Sequence, residues 1–411
     1  MRPGSWLAWA TLSACARGSS IQPIDGGVSV RTLDASSGGA EAEASPTPSP
    51  AHDGEAPKAL APRDAGAAAC RFLGGPVQLS SRGAAALATR GDKVLAVLNE
   101  DGRPALASFR VGPLAAGAGP SPAFITSRAI RVPCAVTGDV AFCPDRAGGI
   151  QRSSLAGTDS QWVANSSAGT HVSAASAAGL GPVLLYLARR QTSEGWVTEA
   201  WVLAERGLPV RLSEDGSGAT SSAVVARGSS LLAVTVDSRV ALTAMHAREI
   251  LDDHGLRLGE DVVTFVGGPG DPGSAAALAL FPSSAAWALL PIARDISSFG
   301  LALIKLDDPP RVDERVLWSM YLDGLDPAPV ATALSGGRIW VARVTPRQKG
   351  LGAPRDLELG ELTIDGVFAL KQVIARAQGA SEVGLVSDSR GALWVTWLDH
   401  SGSWIQRLSC P

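Results

Sequence analysis

From residue 70 onward the chain reads as short apolar runs separated by polar or glycine-rich turns, and the same unit recurs in order. Each unit opens on a tight turn and continues into an apolar strand. The copies run Gly91–Val97, Gly138–Phe142, Gly181–Tyr186, Ser229–Val234, Ser284–Leu289, Gly337–Ala342 and Gly391–Trp397. With Leu95, Ala141, Leu184, Leu232, Trp287, Trp340 and Trp394 taken as equivalent, the steps are 46, 43, 48, 55, 53 and 54 residues. A repeat of about 50 residues with about four strands per unit is the pattern of propeller blades. The expected fold is therefore all-β, a seven-bladed β-propeller filling residues 76–410.

The two ends of this region predict how the ring closes. Pro209–Ser213 reads as the outer strand of a blade, and Pro76–Ser80 echoes it, whereas Trp404–Ser409 reads as a third strand with nothing after it. The first strand can then complete the last blade. Cys70 and Cys410 flank the place where a covalent turn is missing. If Gly138-Asp139 is a two-residue hairpin turn, Cys134 and Cys143 fall opposite each other in a non-hydrogen-bonded pair, close enough for a disulfide. Cys70 and Cys410 are left as the second pair. Closing a loop of that length stabilises by roughly 5 kcal/mol on the loop-entropy account.

Composition agrees with many short elements. The 411 residues include 46 glycines and 27 prolines, and only 18% are charged, against about 25% in an ordinary globular chain. Long helices and coiled coils are excluded. A net charge of -3 leaves no global field to recruit nucleic acid or anionic lipid.

The first 69 residues differ from the rest. Arg2, the apolar stretch Trp6–Leu12 and the small-residue exit Leu12-Ser13-Ala14-Cys15 have the order of a secretion signal. The last four resemble the lipobox of bacterial lipoproteins. That resemblance implies lipidation at Cys15 after removal of residues 1–14 and, with Ala16 next, an anchor in the outer membrane of the cell envelope. Residues 15–69 are rich in Ala, Ser, Gly and Pro with no apolar period, and are expected to form a disordered tether spanning roughly 40 Å. The propeller domain is then 70–411.

The run Leu393-Trp394-Val395-Thr396-Trp397-Leu398-Asp399 is similar to the repeats of sialidase-like propellers. Ser387–Trp394 also approximates their Asp-box, but Ser389 and Leu393 stand where aspartate and threonine belong. That family needs an arginine triad and a tyrosine nucleophile, and Tyr186 and Tyr321 stand in no such context, so no catalytic residue is carried over. The other candidate chemistry is thin. His246, Glu249, Asp252, Asp253 and His254 are metal-ligand types without metal-ligand spacing, and His400-Ser401 is not a triad. No metal and no cofactor is expected.

Propeller topology gathers the turns between second and third strands on one face. In this sequence those turns are expected to hold Asp101 and Arg103, Asp145 and Arg146, Arg189 and Arg190, Asp237 and Arg239, Arg294 and Asp295, Arg347 and Lys349, and Asp399 with His400. Guanidinium forks suit carboxylates and sugars. The expected ligand face is thus Arg103, Arg146, Arg189, Arg190, Arg294, Arg347 and Asp399. The functional expectation is a monomeric envelope lipoprotein that binds membrane lipid through its anchor, and an envelope protein or glycan through this face. The alternative is a glycan-processing enzyme, which would need a buried, pKa-shifted carboxyl pair in the channel.

Overall fold

A computed structural model of the chain describes residues 69–411, apart from 112–128, 158–159, 194, 206, 214–215, 217, 240–241, 253–254, 267–276, 284, 296–297, 307–310, 313–316, 321–328, 347–353 and 379. These belong to the unit Asp64–Pro411. Short apolar runs broken by glycine turns can satisfy their backbone groups only by pairing with neighbours. Here they pair antiparallel into seven separate sheets. The second strands of the seven blades are Lys93–Asn99, Val140–Pro144, Gly181–Thr192, Ser230–Arg239, Ala286–Asp295, Arg338–Pro346 and Leu393–Asp399. Each carries the residue that marks its repeat in the sequence.

The first strands pack side by side in order, and that of blade 7 (Glu382–Ser387) packs on that of blade 1 (Ala85–Arg90), so the seven form a closed ring. This is a seven-bladed β-propeller. Closure is made by the first strands of the propeller. Arg71–Phe72 and Val77–Ser80 pair with Gly402–Ser409 and supply the outer strand of blade 7, with Arg71 opposite Ser409 and Val77 opposite Ile405. Cys70–Cys410 fastens the seam, and Cys134–Cys143 links the start of blade 2 to its second strand.

Seven apolar clusters hold the ring, one at each blade-to-blade interface. The strand alternation explains them, because successive residues face opposite neighbours. Leu231 and Ala233 pack toward blade 3, and Leu232, Val234 and Val236 pack toward blade 5. The repeat tryptophans are wedges in this scheme. Trp287 fills the 5/6 interface, Trp340 the 6/7 interface and Trp394 the 7/1 interface, and all three are buried. Gly366 shows how tight the wedge is. It has φ 76°, and a Cβ there would lie 2.6 Å from the Trp287 ring, whose Nε1 donates to the Ile364 carbonyl at 3.1 Å.

Beside the Trp394 wedge lies a buried ion pair. Asp388 accepts from Arg407 Nη2 at 2.8 Å, from Trp394 Nε1 at 2.9 Å and from the backbone N–H groups of Arg390 and Ala392. Burial alone would raise its pKa, but these donors and the Arg407 charge hold the carboxyl below the usual aspartate range. The segment that approximates an Asp-box thus works as a turn and a strut between first and second strands.

The Cys70–Cys410 loop spans 340 residues and the Cys134–Cys143 loop spans 9. The loop-entropy gain rises with the logarithm of length, so a Cys70→Ser/Cys410→Ser variant should lose roughly 5 kcal/mol of unfolding free energy and a Cys134→Ser/Cys143→Ser variant about half of that. Denaturant unfolding of both variants checks the ranking. A greater loss from the short loop would contradict the seam as the weak point of the ring.

Candidate functional site

Antiparallel strands place the second-to-third turns and the connections from one blade to the next at the same end of the propeller. We call this end the upper face. It carries a cleft of about 540 Å³ at the junction of blades 7, 1 and 2, lined by Ser81, Arg82, Ala129, Ile130, Arg131, Arg146, Leu398, Asp399 and His400. Arg82, Arg131, Arg146 and His400 are exposed. Among the described residues, no ion pair engages the guanidinium groups of Arg82, Arg131 or Arg146.

Each of these side chains sits on backbone held in place. Arg146 is the second residue of a five-residue turn. In that turn Asp145 N–H donates to the Gly149 carbonyl at 2.8 Å, Gly149 N–H donates to Asp145 Oδ1 at 2.7 Å, and Gly148 N–H donates to the Asp145 carbonyl. The Arg146 N–H is itself tied to Asp101 Oδ1, 2.8 Å away on the adjacent turn of blade 1. Arg131 lies on a segment stitched to Asn99, a fully buried residue. Ile130 N–H donates to the Asn99 carbonyl, and Asn99 Nδ2 donates to the carbonyls of Val132 and Pro144 at 2.9 and 2.8 Å.

Arg82 follows the closing strand, where Ser80 Oγ accepts from the N–H groups of Arg82 and Gly83 at 3.2 Å. Two glycines make that approach possible. A Cβ on Gly402 would lie 2.1 Å from the Ser80 carbonyl oxygen, and one on Gly83 would lie 2.1 Å from the Ala129 Cβ. His400 is presented by a turn in which Asp399 Oδ1 accepts from Ser401 N–H at 2.8 Å and from its hydroxyl, while Asp399 Oδ2 accepts from Trp397 Nε1 at 3.3 Å.

The structure therefore brings Arg146 and Asp399 together with His400, and it adds Arg82 and Arg131, which the sequence reading did not single out. Arg82 and Arg131 lie on blade-to-blade connections. Those connections share the upper face, and the strand order alone would have identified them. Arg103 is exposed on the second-to-third turn of blade 1, outside the cleft lining.

Other expected positions are corrected. The second strand of blade 3 runs on to Thr192, so Arg189 and Arg190 lie within a strand rather than a loop. Arg190 pairs with the buried Glu199 at 2.9 Å, and Arg211 adds a second contact at 3.4 Å. Burial alone would raise the Glu199 carboxyl, but Arg190, the Gly216 N–H and Arg211 hold it below the usual glutamate range. The second strand of blade 4 likewise contains Asp237 and Arg239, and that of blade 5 contains Arg294 and Asp295. The Arg294 side chain, Arg347 and Lys349 lie outside the described residues, as does Cys15 with the whole of 1–68. Two tryptophans near the starts of third strands differ in setting: Trp196 is 67% exposed, and Trp404 stacks on Trp397 with ring centroids 6.4 Å apart.

Two further charged groups stand out. In blade 4 the outer strand is broken between Leu256–Leu258 and Val262–Val266. The break aims Asp261 at His246 Nδ1, 3.0 Å away, and at Arg248 Nη2, 2.7 Å away. Asp237 Oδ2 lies 3.1 Å from His246 Nε2 on the other side of the ring. Burial alone would lower the His246 pKa, but the two carboxylates outweigh it and raise it to about 9. In blade 7, Glu382 begins the innermost strand opposite Leu398 of the cleft, and burial raises its carboxyl to about 7. It is the one carboxyl raised in this way among the described residues, whereas sugar-cleaving sites use a pair.

The fold defines the class of this chain, a seven-bladed propeller with a charged upper face. No protein-family model and no curated protein matches it. Among solved structures it is similar to the N-terminal domain of Nup159, with 11% identity, a TM-score of 0.47 and coverage of 83% of this chain and 95% of that one. It is also similar to the RRP9 WD40 repeats, with 14% identity, a TM-score of 0.47 and coverage of 83% and 98%. A third similar structure is Trypanosoma rangeli sialidase in complex with the inhibitor DANA, with 10% identity, a TM-score of 0.39 and coverage of 82% and 58%.

The His246 clamp sets a pH dependence. Its folded pKa lies above the unfolded value near 6.5, so the stabilisation is complete below about pH 6.5 and is lost as pH rises through about 9. A His246→Asn variant should therefore melt well below the parent at pH 6, with the gap narrowing toward pH 9.5. Thermal melts across that range check it, and a gap that widens with pH would contradict a charged imidazolium.

Proposed function

We propose that this chain is a cell-envelope lipoprotein whose propeller binds an anionic ligand at the upper-face cleft. Residues 1–14 are read as the signal, Cys15 as the lipidated residue, and 15–69 as the tether that holds the propeller off the outer membrane. The observation that carries the binding reading is the convergence of Arg82, Arg131 and Arg146 on one cleft without carboxylate partners among the described residues. Arg190, Arg248 and Arg407 by contrast are paired with carboxylates of the fold, so it is the gathering of three unpaired arginines at one concavity, not the lack of a partner alone, that supports the reading. The ties at Asp145, Asn99 and Ser80 fix the backbone from which the three arginines project before a ligand arrives, which lowers the ordering cost of binding. Hydrolysis, the second reading, would need a carboxyl group such as that of Asp399 roughly 5–10 Å from Glu382, which pairs with the neighbouring Leu398.

Two measurements test the two halves of this proposal. Cys15→Ser should move the protein from the membrane fraction to the soluble one, and unchanged membrane retention would dismiss the anchor. In pull-downs of the tagged mature chain from solubilised envelope, Arg131→Ala/Arg146→Ala should lower recovery of bound material by about tenfold or more, given the strength of charge-assisted hydrogen bonds. Equal recovery would dismiss the cleft.

A further inference from the structure

We infer that the group held in the upper-face cleft is a phosphate monoester; this deepens, and rests on, the reading of that cleft as the ligand site. Charge matching is the first support. Arg82, Arg131 and Arg146 bring three positive charges and Asp399 one negative charge to the same walls, a surplus of two. A carboxylate has one charge and two oxygens, and one guanidinium fork satisfies it. It would leave the other two arginines of the cleft without an anionic partner. A phosphate monoester carries about 1.5 to 2 negative charges at neutral pH and three terminal oxygens, whose three edges can each meet a fork.

Placement is the second support. The three arginines come from three separate segments, the connection into blade 1, the connection into blade 2 and the second-to-third turn of blade 2. They border one concavity and do not run along a flat stripe. A linear polyanion would be matched by a stripe, whereas cations around a concavity match a compact terminal group. Asp399 sits at the same wall with its two oxygens already accepting from Ser401 and Trp397. Its charge is therefore fixed in place and limits how many anionic groups the cleft accepts.

Such a monoester can come from a soluble sugar phosphate or from the headgroup of a membrane lipid, and the test separates the sources. The Cys15→Ser chain, which carries no anchor of its own, is titrated calorimetrically with glucose 6-phosphate and with glucuronate, which differ chiefly in phosphate against carboxylate. Phosphate should bind at least about tenfold tighter. Arg131→Ala/Arg146→Ala should weaken it by about a hundredfold, and Arg110→Ala, an exposed arginine at the opposite face, should not. Circular dichroism and melting temperature matching the parent certify the fold of each variant. Co-sedimentation with phosphatidic acid vesicles, reversed by glucose 6-phosphate, assigns the lipid source; binding of glucose 6-phosphate without vesicle binding assigns the soluble one. Glucuronate bound as tightly or more tightly, and lost in the double variant, overturns the phosphate assignment and leaves the cleft as the ligand site. No binding of either compound, with envelope recovery unchanged in the double variant, overturns both.

Discussion

Everything in this molecule depends on closing a ring of seven wedges at a seam that has no covalent turn. A blade is a twisted sheet with two apolar faces, and neither face can be left to water, so each must find a neighbour. Blade 7 is built from the last strands of the chain and meets blade 1 only if the ring closes. The closing strand Val77–Ser80 does this by lying on Gly402–Ser409, and Cys70–Cys410 holds both ends at the rim. The Trp394 wedge, the Asp388–Arg407 pair and the apolar cluster shared by blades 7 and 1 are all made at or beside that seam.

The seam is also where the cleft forms. Arg82 is placed by the closing strand, His400 by the last turn of blade 7, and Arg131 and Arg146 by the neighbouring blade. A cleft assembled from segments more than 300 residues apart in sequence exists only in the closed ring, so its geometry depends on closure. Gly402 and Gly83 show the physical cost of that assembly. Both positions are crossed so closely by other backbone or Cβ atoms that no side chain can be accommodated without a shift.

Three carboxylates along the ring are handled alike. Glu199, Asp261 and Asp388 each face at least one arginine, and each is held below its ordinary pKa despite burial. Removing one partner from such a pair leaves an uncompensated charge in the interior, which is why these groups act as struts between strands. The cleft arginines are the contrast. They are exposed, and among the described residues they have no internal counter-ion.

The sequence by itself determined the number of blades, the second strand of each, the seam and the disulfide partners, because these rest on local signals. Period, turn glycines and cysteine positions survive in one dimension, as Trp287, Trp340 and Trp394 show by landing on equivalent strands. It also determined which turns would carry Arg146 and Asp399. Strand length was less legible. Nothing local at Arg189, Arg190 or Asp237 says that their strands continue past the apolar run, and it is the neighbouring strand, through hydrogen bonding, that extends them. Only the tertiary structure decided that Arg190 is committed to Glu199 and that His246 is clamped between Asp237 and Asp261. It alone decided that Arg82 and Arg131 share a cleft with Arg146. Partnership between charges is set by distances across strands and blades, and those distances exist only once the ring has closed.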